Sequence, residues 1–277
     1  MKITYYGTAA AEGVPALFCY CPLCERARAE GGKNIRTRSQ ALINDDLLID
    51  FPPDTYMHEL FYNMPLRDIE NILITHGHSD HLYHKELENY RPPFARNREN
   101  LPVVKVYSSH KTARELMEIL YNDRSFGRGF VEQRVVEKFK PFNVGKYTVT
   151  ALDADHAKEL EPLIYLISDG EKTLLYAHDT GDFPENTWKY LEFNKPHIDF
   201  ASLDCTHGIC PGKSGHMGLP ADIEVRDKLK ELGCADDTTV FCINHFSHNG
   251  LLTYDEMKPV AEKEGFITSY DTMSVEF

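Results

Sequence analysis

The sequence predicts a mixed α/β fold, and three observations carry that expectation. Short β-branched stretches alternate with helix-like stretches along all 277 residues, with no internal repeat, low-complexity linker or composition shift. Two hairpin signals stand out: residues 41–43 and 47–49 flank Asn44-Asp45-Asp46, and residues 163–168 and 173–177 flank Asp169-Gly170-Glu171-Lys172. Several apolar stretches end abruptly in His, Asp or Cys, as strands do when they deliver side chains to one edge of a sheet. A single domain over residues 1–277 is expected, with 84–141 as a connector or lid. With 42% hydrophobic residues, 26% charged residues and a mean hydropathy of -0.42, the chain can build a sizeable core and has no membrane-spanning run.

Taken in order, residues 1–6 read as a first strand, so no targeting segment is expected and the cytoplasm is the default location. Cys19-Tyr20-Cys21-Pro22-Leu23-Cys24 follows. Three thiols at this spacing read as a structural zinc site, because thiolates select soft ions and a closed tetrahedral site needs only one more ligand. Neighbouring thiols bridge each other poorly and no secretion signal is visible, so a disulfide is the weaker reading. Cys205, Cys210 and His248 are all eligible as the fourth ligand on spacing. Arg36, Arg38 and Ser39 stand just ahead of the first hairpin and read either as basic substrate contacts or as a solvated turn, with no role assigned.

The strand at 71–74 runs into Thr75-His76-Gly77-His78-Ser79-Asp80-His81, where four metal-binding side chains fall within six residues. This is the strongest signal in the chain and reads as half of a dinuclear metal site. Between it and residue 141 lie Arg91, Arg96, Arg98, Arg124 and Arg128 with several aromatics, a phosphate-and-ring grip or a solvated connector, and no binding residue is assigned there. Helices are expected over 111–121, 184–193, 221–232 and 254–264. Three further strands end in eligible ligands: 149–152 leads to His156, 173–176 to His178-Asp179, and 239–243 to Asn244-His245. His178 and Asp179 are adjacent and point to opposite faces, which gives His178 a structural role. The strand over 198–203 leads to Asp204-Cys205-Thr206-His207 and then Lys213-Ser214-Gly215-His216, two loop histidines of which either can titrate.

The ordered set His76, His78, Asp80, His81, His156, Asp179 and His245 resembles the metallo-β-lactamase superfamily over nearly the whole chain. That resemblance implies a four-layer αββα sandwich, two sheets back to back with helices outside. It implies one metal on His76, His78 and His156, a second on Asp80, His81 and His245, and Asp179 as the bridge. A bridging carboxylate is similar to the phosphodiesterase and thioester-hydrolase branches and argues against a β-lactam substrate. Gly7-Thr8, Pro15, the Cys19, Cys21 and Cys24 triplet, and His245-Phe246-Ser247-His248 together resemble the phosphoribosyl cyclic phosphate phosphodiesterase family of phosphonate breakdown. Carried over, His248 completes the zinc site and His216 is the catalytic acid. Ala9-Ala10-Ala11 where relatives tend to have glycine, and Asn244 ahead of His245, depart from that family, so the expectation stays at a small phosphodiester, cyclic ones included.

The implied chemistry is hydrolysis by a hydroxide held between two divalent ions, zinc or manganese, about 3.5–4 Å apart. Asp80 and Asp179 orient metal and nucleophile, and His216 protonates the leaving oxygen. The expected partner is a small phosphorylated substrate, with no membrane. Tight nucleic-acid binding is disfavoured by the net charge of -13 and by the lack of the basic, Gly-rich arm that ribonuclease Z relatives use. A homodimer is compatible with the sequence. Two alternatives stand beside this reading: a thioester or amide hydrolase on the same fold, and a non-hydrolytic binding protein of the pyrroloquinoline quinone biosynthesis B type.

Overall fold

The computed structural model describes residues 1–90, 92–95, 102–122 and 130–277. Arg91, Arg96, Arg98, Arg124 and Arg128 of the expected basic grip lie outside the described residues. The first sheet is built from β1 (Lys2–Gly7), β2 (Gln40–Ile43), β3 (Leu47–Ile49), β4 (Asn71–Leu73), β5 (Val104–Ser108) and β6 (Val131–Val135). The second comprises β7 (Pro141–Val144), β8 (Tyr147–Asp153), β9 (Leu163–Ser168), β10 (Thr173–Ala177), β11 (Phe200–Asp204), β12 (Val240–Asn244) and β13 (Phe266–Thr268). β14 (Ser274–Glu276) returns to pair with β1, giving the orders β14-β1-β2-β3-β4-β5-β6 and β13-β12-β11-β10-β9-β8-β7.

Alternation of apolar side chains makes these strands sandwich-forming. Along β2 and β3, Ala41, Ile43, Leu47 and Ile49 face the second sheet, while Leu42 and Leu48 face the outside layer. Along β10, Leu174 and Tyr176 point inward and Leu175 and Ala177 outward. Every face is therefore apolar, and helices cover both outer ones. α2 (Thr55–Tyr62) and α3 (His110–Asn122) lie on the first sheet, α3 through Leu116. α4 (Glu185–Asn194), α5 (Leu219–Glu231) and α6 (Tyr254–Lys263) cover the second, through Trp188, Leu191, Val225, Leu229, Met257 and Ala261. The result is the four-layer αββα sandwich. α1 (Pro22–Glu30) sits apart from these layers, packing Leu23 and Ala27 on Ala9 and Val14.

Both expected hairpins form, with Ile43 opposite Leu47 and Ser168 opposite Thr173. Asn44 and Asp45 adopt φ of 47° and 65°, the left-handed turn that Asn and Asp tolerate best. The four expected helices are α3, α4, α5 and α6 within two residues of their expected limits. α1 and α2 were not foreseen. The stretch 84–141 contributes strands to the first sheet as well as connecting segments. Among the described residues no helix is long and apolar enough to cross a membrane.

Topology fixes where the chemistry collects. β3 and β4 are parallel, as are β10, β11, β12 and β13. β8 and β10 are each antiparallel to β9, hence parallel to each other. Their carboxyl ends gather at one edge of the sandwich, the place where open α/β sheets present ligand-binding loops.

Candidate metal centre and active site

Three strand exits turn through left-handed backbone: Asp50 after β3 (φ 64°), Asp179 after β10 (φ 56°) and His245 after β12 (φ 62°). Non-glycine residues hold that conformation only where surroundings enforce it. Here it swings each side chain off the strand and into the space between the two sheets' ends.

The loop after β4 is anchored by a buried carboxylate. Asp50 accepts from Thr75 N at 2.8 Å and Thr75 Oγ1 at 3.0 Å, and lies 2.7 Å from His81 Nδ1. An acceptor on Nδ1 places the proton there and leaves His81 Nε2 as a lone pair facing inward. His245 is held likewise, its Nδ1 being 2.7 Å from Thr206 Oγ1 and 3.3 Å from Asp204 Oδ2. Asp204, fully buried at the end of β11, also accepts from the backbone of Asp179, Thr206 and Met217, each at 3.0 Å, and lies 3.2 Å from His216 Nδ1.

Three donor sets share the Asp179 carboxylate; one of them joins it to Asp204, His216 and His245 on the cleft side. His76, His78, His156 and Asp179 converge, and so do Asp80, His81, Asp179 and His245, the donor atoms of each set lying within 4.8 Å of one another. In the first, His78 Nδ1 is 2.8 Å from His76 Nε2 and 3.3 Å from His156 Nε2. Asp179 Oδ2 stands between these two sets, 3.2 Å from His76 Nε2 and 3.0 Å from His81 Nε2. Among the described residues, three buried atoms here, His81 Nε2, Asp179 Oδ1 and His245 Nε2, make no hydrogen bond. Unpaired lone pairs and a carboxylate pointed at one another in a dry site repel unless cations lie between them. The donor types, imidazole and carboxylate, fit a pair of divalent ions. Burial pushes the His76 imidazole down to about 4, keeping it neutral as a ligand must be. Burial would raise Asp179, but His245 and His76 outweigh it and hold the carboxyl well below its usual range.

A cleft of about 350 Å³ opens on this edge, lined by Ala10, Glu12, Asp80, His207, His216 and Asn249 among others. His216 stands 3.1 Å from Asp179 Oδ1. Burial lowers a histidine, but the Asp204 carboxylate outweighs it and pushes His216 up to about 9. His207 meets the His216 ring edge-on, with 5.9 Å between centroids. His178 faces away into the inter-sheet core, Nε2 to Ser202 Oγ at 2.7 Å, as its position beside Asp179 implied.

Beside the cleft, Cys19, Cys21, Cys24 and His248 form a second cluster within the same 4.8 Å limit. His248 Nδ1 is 3.3 Å from Cys19 Sγ and 3.4 Å from Cys21 Sγ, whereas Cys205 is buried in the core against α5. Burial raises the Cys21 thiol, but the Cys24 N–H and the His248 ring outweigh it and bring it down to about 6, which favours the thiolate a soft ion needs. The sulfur of Cys21 also caps α1, accepting from Cys24 N, so helix and cluster depend on each other.

The sequence reading missed Asp50 and Asp204. Both follow the same pattern of an apolar strand ending in a polar residue, Leu47-Leu48-Ile49-Asp50 and Phe200-Ala201-Ser202-Leu203-Asp204, so the signal was present. Arg36 is not in a solvated turn. It is buried, donates to Thr8 Oγ1 at 2.7 Å and Ser269 O at 2.8 Å, and covers the Phe246 ring, which braces the loop carrying His245. Arg38, partly exposed, pairs with Asp54.

Comparison with known proteins adds family and fold. The profile of the beta-lactamase superfamily domain matches residues 46–235. A coenzyme PQQ synthesis protein B from Methylobacterium radiotolerans is 33% identical over 96 residues, and the match spans only 30% of this chain and 31% of that relative. A diphosphatase from the PhnP family superposes with a TM-score of 0.75 at 21% identity, covering 100% of this chain and 97% of that one. Zn²⁺-bound PqqB from Methylobacterium extorquens superposes at 0.74 with 16% identity, covering 100% of both chains. Human tRNase Z, short form, superposes at 0.64 with 13% identity, covering 100% and 99%.

Proposed function

The chain belongs to the beta-lactamase superfamily of metallohydrolases, and from that premise we propose that it is a dinuclear metal-dependent phosphodiesterase acting on a small phosphodiester. The observation that carries this reading is Asp179, whose carboxylate stands between the two histidine sets, with Oδ2 between His76 and His81 and Oδ1 facing His216. His76, His78 and His156 would hold one divalent ion and Asp80, His81 and His245 the other, zinc or manganese, with Asp179 shared. Such ions supply Lewis acidity toward a phosphoryl oxygen and lower the pKa of water.

The protein's own groups do the rest. Asp50 and Asp204 fix which ring nitrogen of His81 and His245 faces inward. His216, kept protonated by Asp204, is the acid that donates to the leaving oxygen from the cleft side. A cleft of about 350 Å³ suits a small diester better than a folded nucleic acid. The Cys19, Cys21, Cys24 and His248 cluster would hold a structural zinc, which would brace the cleft wall.

A second reading, a ligand carrier without hydrolysis, rests on the likeness to PqqB. Metal analysis and turnover separate the two. Wild type should carry about three metals per chain and hydrolyse bis(p-nitrophenyl) phosphate, whereas Asp179→Ala should lose turnover and retain the thiol-bound zinc. About one metal per chain, no filling on added zinc or manganese and no diester hydrolysis would favour the carrier.

A further inference from the structure

From the cleft wall formed by the loop after β1 we infer that Glu12 sets substrate specificity, selecting a diester whose non-reacting group carries hydrogen-bond donors, hydroxyl or ammonium, over one that carries a second phosphate. This rests on the phosphodiesterase reading and narrows it. Glu12 follows Ala10 and Ala11 in the loop after β1, and all three line the same cleft as Asp80, Asp179 and His216. One carboxylate oxygen, Oε1, accepts from Ser247 Oγ and lies 3.6 Å from His248 Nε2. Those contacts tie Glu12 to the loop carrying His245 and fix its position. Oε2 has no partner among the described residues, and the side chain is about a third exposed, at 31%.

The neighbours point the same way. His207 and Asn249 line the cleft beside Glu12, and neither side chain has a polar partner within the protein among the described residues. Among the described residues the cleft lining holds three carboxylates, Glu12, Asp80 and Asp179, and no Lys or Arg. Asp80 and Asp179 belong to the metal donor sets, whose cations would offset them, whereas Glu12 is outside all of these sets. Its charge therefore faces the substrate. A carboxylate accepts strongly from hydroxyl or ammonium groups and repels phosphate, and discrimination is steepest where a fixed polar group meets or lacks its partner.

The test uses metal-loaded, full-length protein and three chromogenic diesters: bis(p-nitrophenyl) phosphate, the p-nitrophenyl ester of glycerol phosphate, and the p-nitrophenyl ester of a glycerol bisphosphate. Wild type should favour the glycerol phosphate ester over the bisphosphate ester by about tenfold or more in kcat/KM. Glu12→Gln keeps an oxygen for Ser247 and should lower kcat/KM for the glycerol phosphate ester about tenfold more than for bis(p-nitrophenyl) phosphate. Thiol-site zinc content and thermal midpoint measured alongside report on bracing. An equal loss on all three esters, or wild-type preference for the bisphosphate, overturns the specificity role while leaving the phosphodiesterase reading intact. No hydrolysis of any diester by the wild type removes both.

Discussion

Asp50 and Asp204 do for this centre what its ligands cannot do for themselves: each fixes a histidine's tautomer before any ion arrives. Asp50→Asn keeps the shape but presents the wrong partner to His81 Nδ1. The expected outcome is a loss of about 10–100-fold in affinity for the second cation or in turnover, with thiol-bound zinc retained. Metal content and diester hydrolysis matching wild type would contradict that role. His58 is a different kind of buried histidine. It sits on the buried face of α2 between Gln40 Oε1 at 2.6 Å and Thr37 Oγ1 at 2.8 Å, and burial pushes it down to about 4. Its folded pKa is below its unfolded value of 6.5, so the unfolded chain binds the extra proton. Stability from keeping it neutral is complete above pH 6.5 and declines as pH falls toward 4, by on the order of 3 kcal/mol. Denaturant titrations of wild type and His58→Gln across that window should differ in slope, the variant being flatter, and parallel slopes would refute it.

At the scale of elements, the site depends on loops packed closer than side chains permit. Gly208, at φ 56° in the loop after β11, lies so near Gly250 that an added Cβ would meet the Gly250 carbonyl oxygen at 2.3 Å. This contact holds the loop of His207 and His216 against the loop of His245 and His248. Gly208→Ala should cost about 1–3 kcal/mol of stability and lower turnover together. A thermal midpoint and kcat equal to wild type would show that the loops do not need the approach. The elements that sequence disclosed are those with one clear pattern: β2 and β3 around Asn44-Asp45, and helices of ten or more residues such as α5. α1 and α2 were hidden for physical reasons. α1 has nine residues and a cysteine cap, so it reads as part of the thiol cluster. α2 leaves Tyr56, Leu60 and Phe61 exposed, so its apolar positions mark no single buried stripe. The metal-binding side chains were legible because strand-to-ligand spacing is local, whereas Glu12 and Arg36 are held in large part by Ser247, Ser269 and Phe246, more than two hundred residues away.

Across the whole molecule, each sheet supplies part of the centre: His76, His78, Asp80 and His81 follow β4 of the first, while His156, Asp179 and His245 follow β8, β10 and β12 of the second. Cations bound there would cross-link the sandwich. Removing metal with a chelator should lower the thermal midpoint by roughly 5–10 °C, the shift expected from about 3 kcal/mol of linked binding at free metal on the order of 100 Kd. A midpoint indifferent to chelation and reloading would mean that the sheets are held by their apolar interface alone. At the opposite end of the same strands, Lys2 pairs with Glu276 and the Met1 amino group donates to Phe277 O at 3.0 Å. β1 runs from there toward the cleft and β14 runs away from it, so Met1 and Phe277 lie side by side on the rim remote from the chemistry. A surface that grips the sandwich along this β1–β14 edge would leave the cleft facing outward.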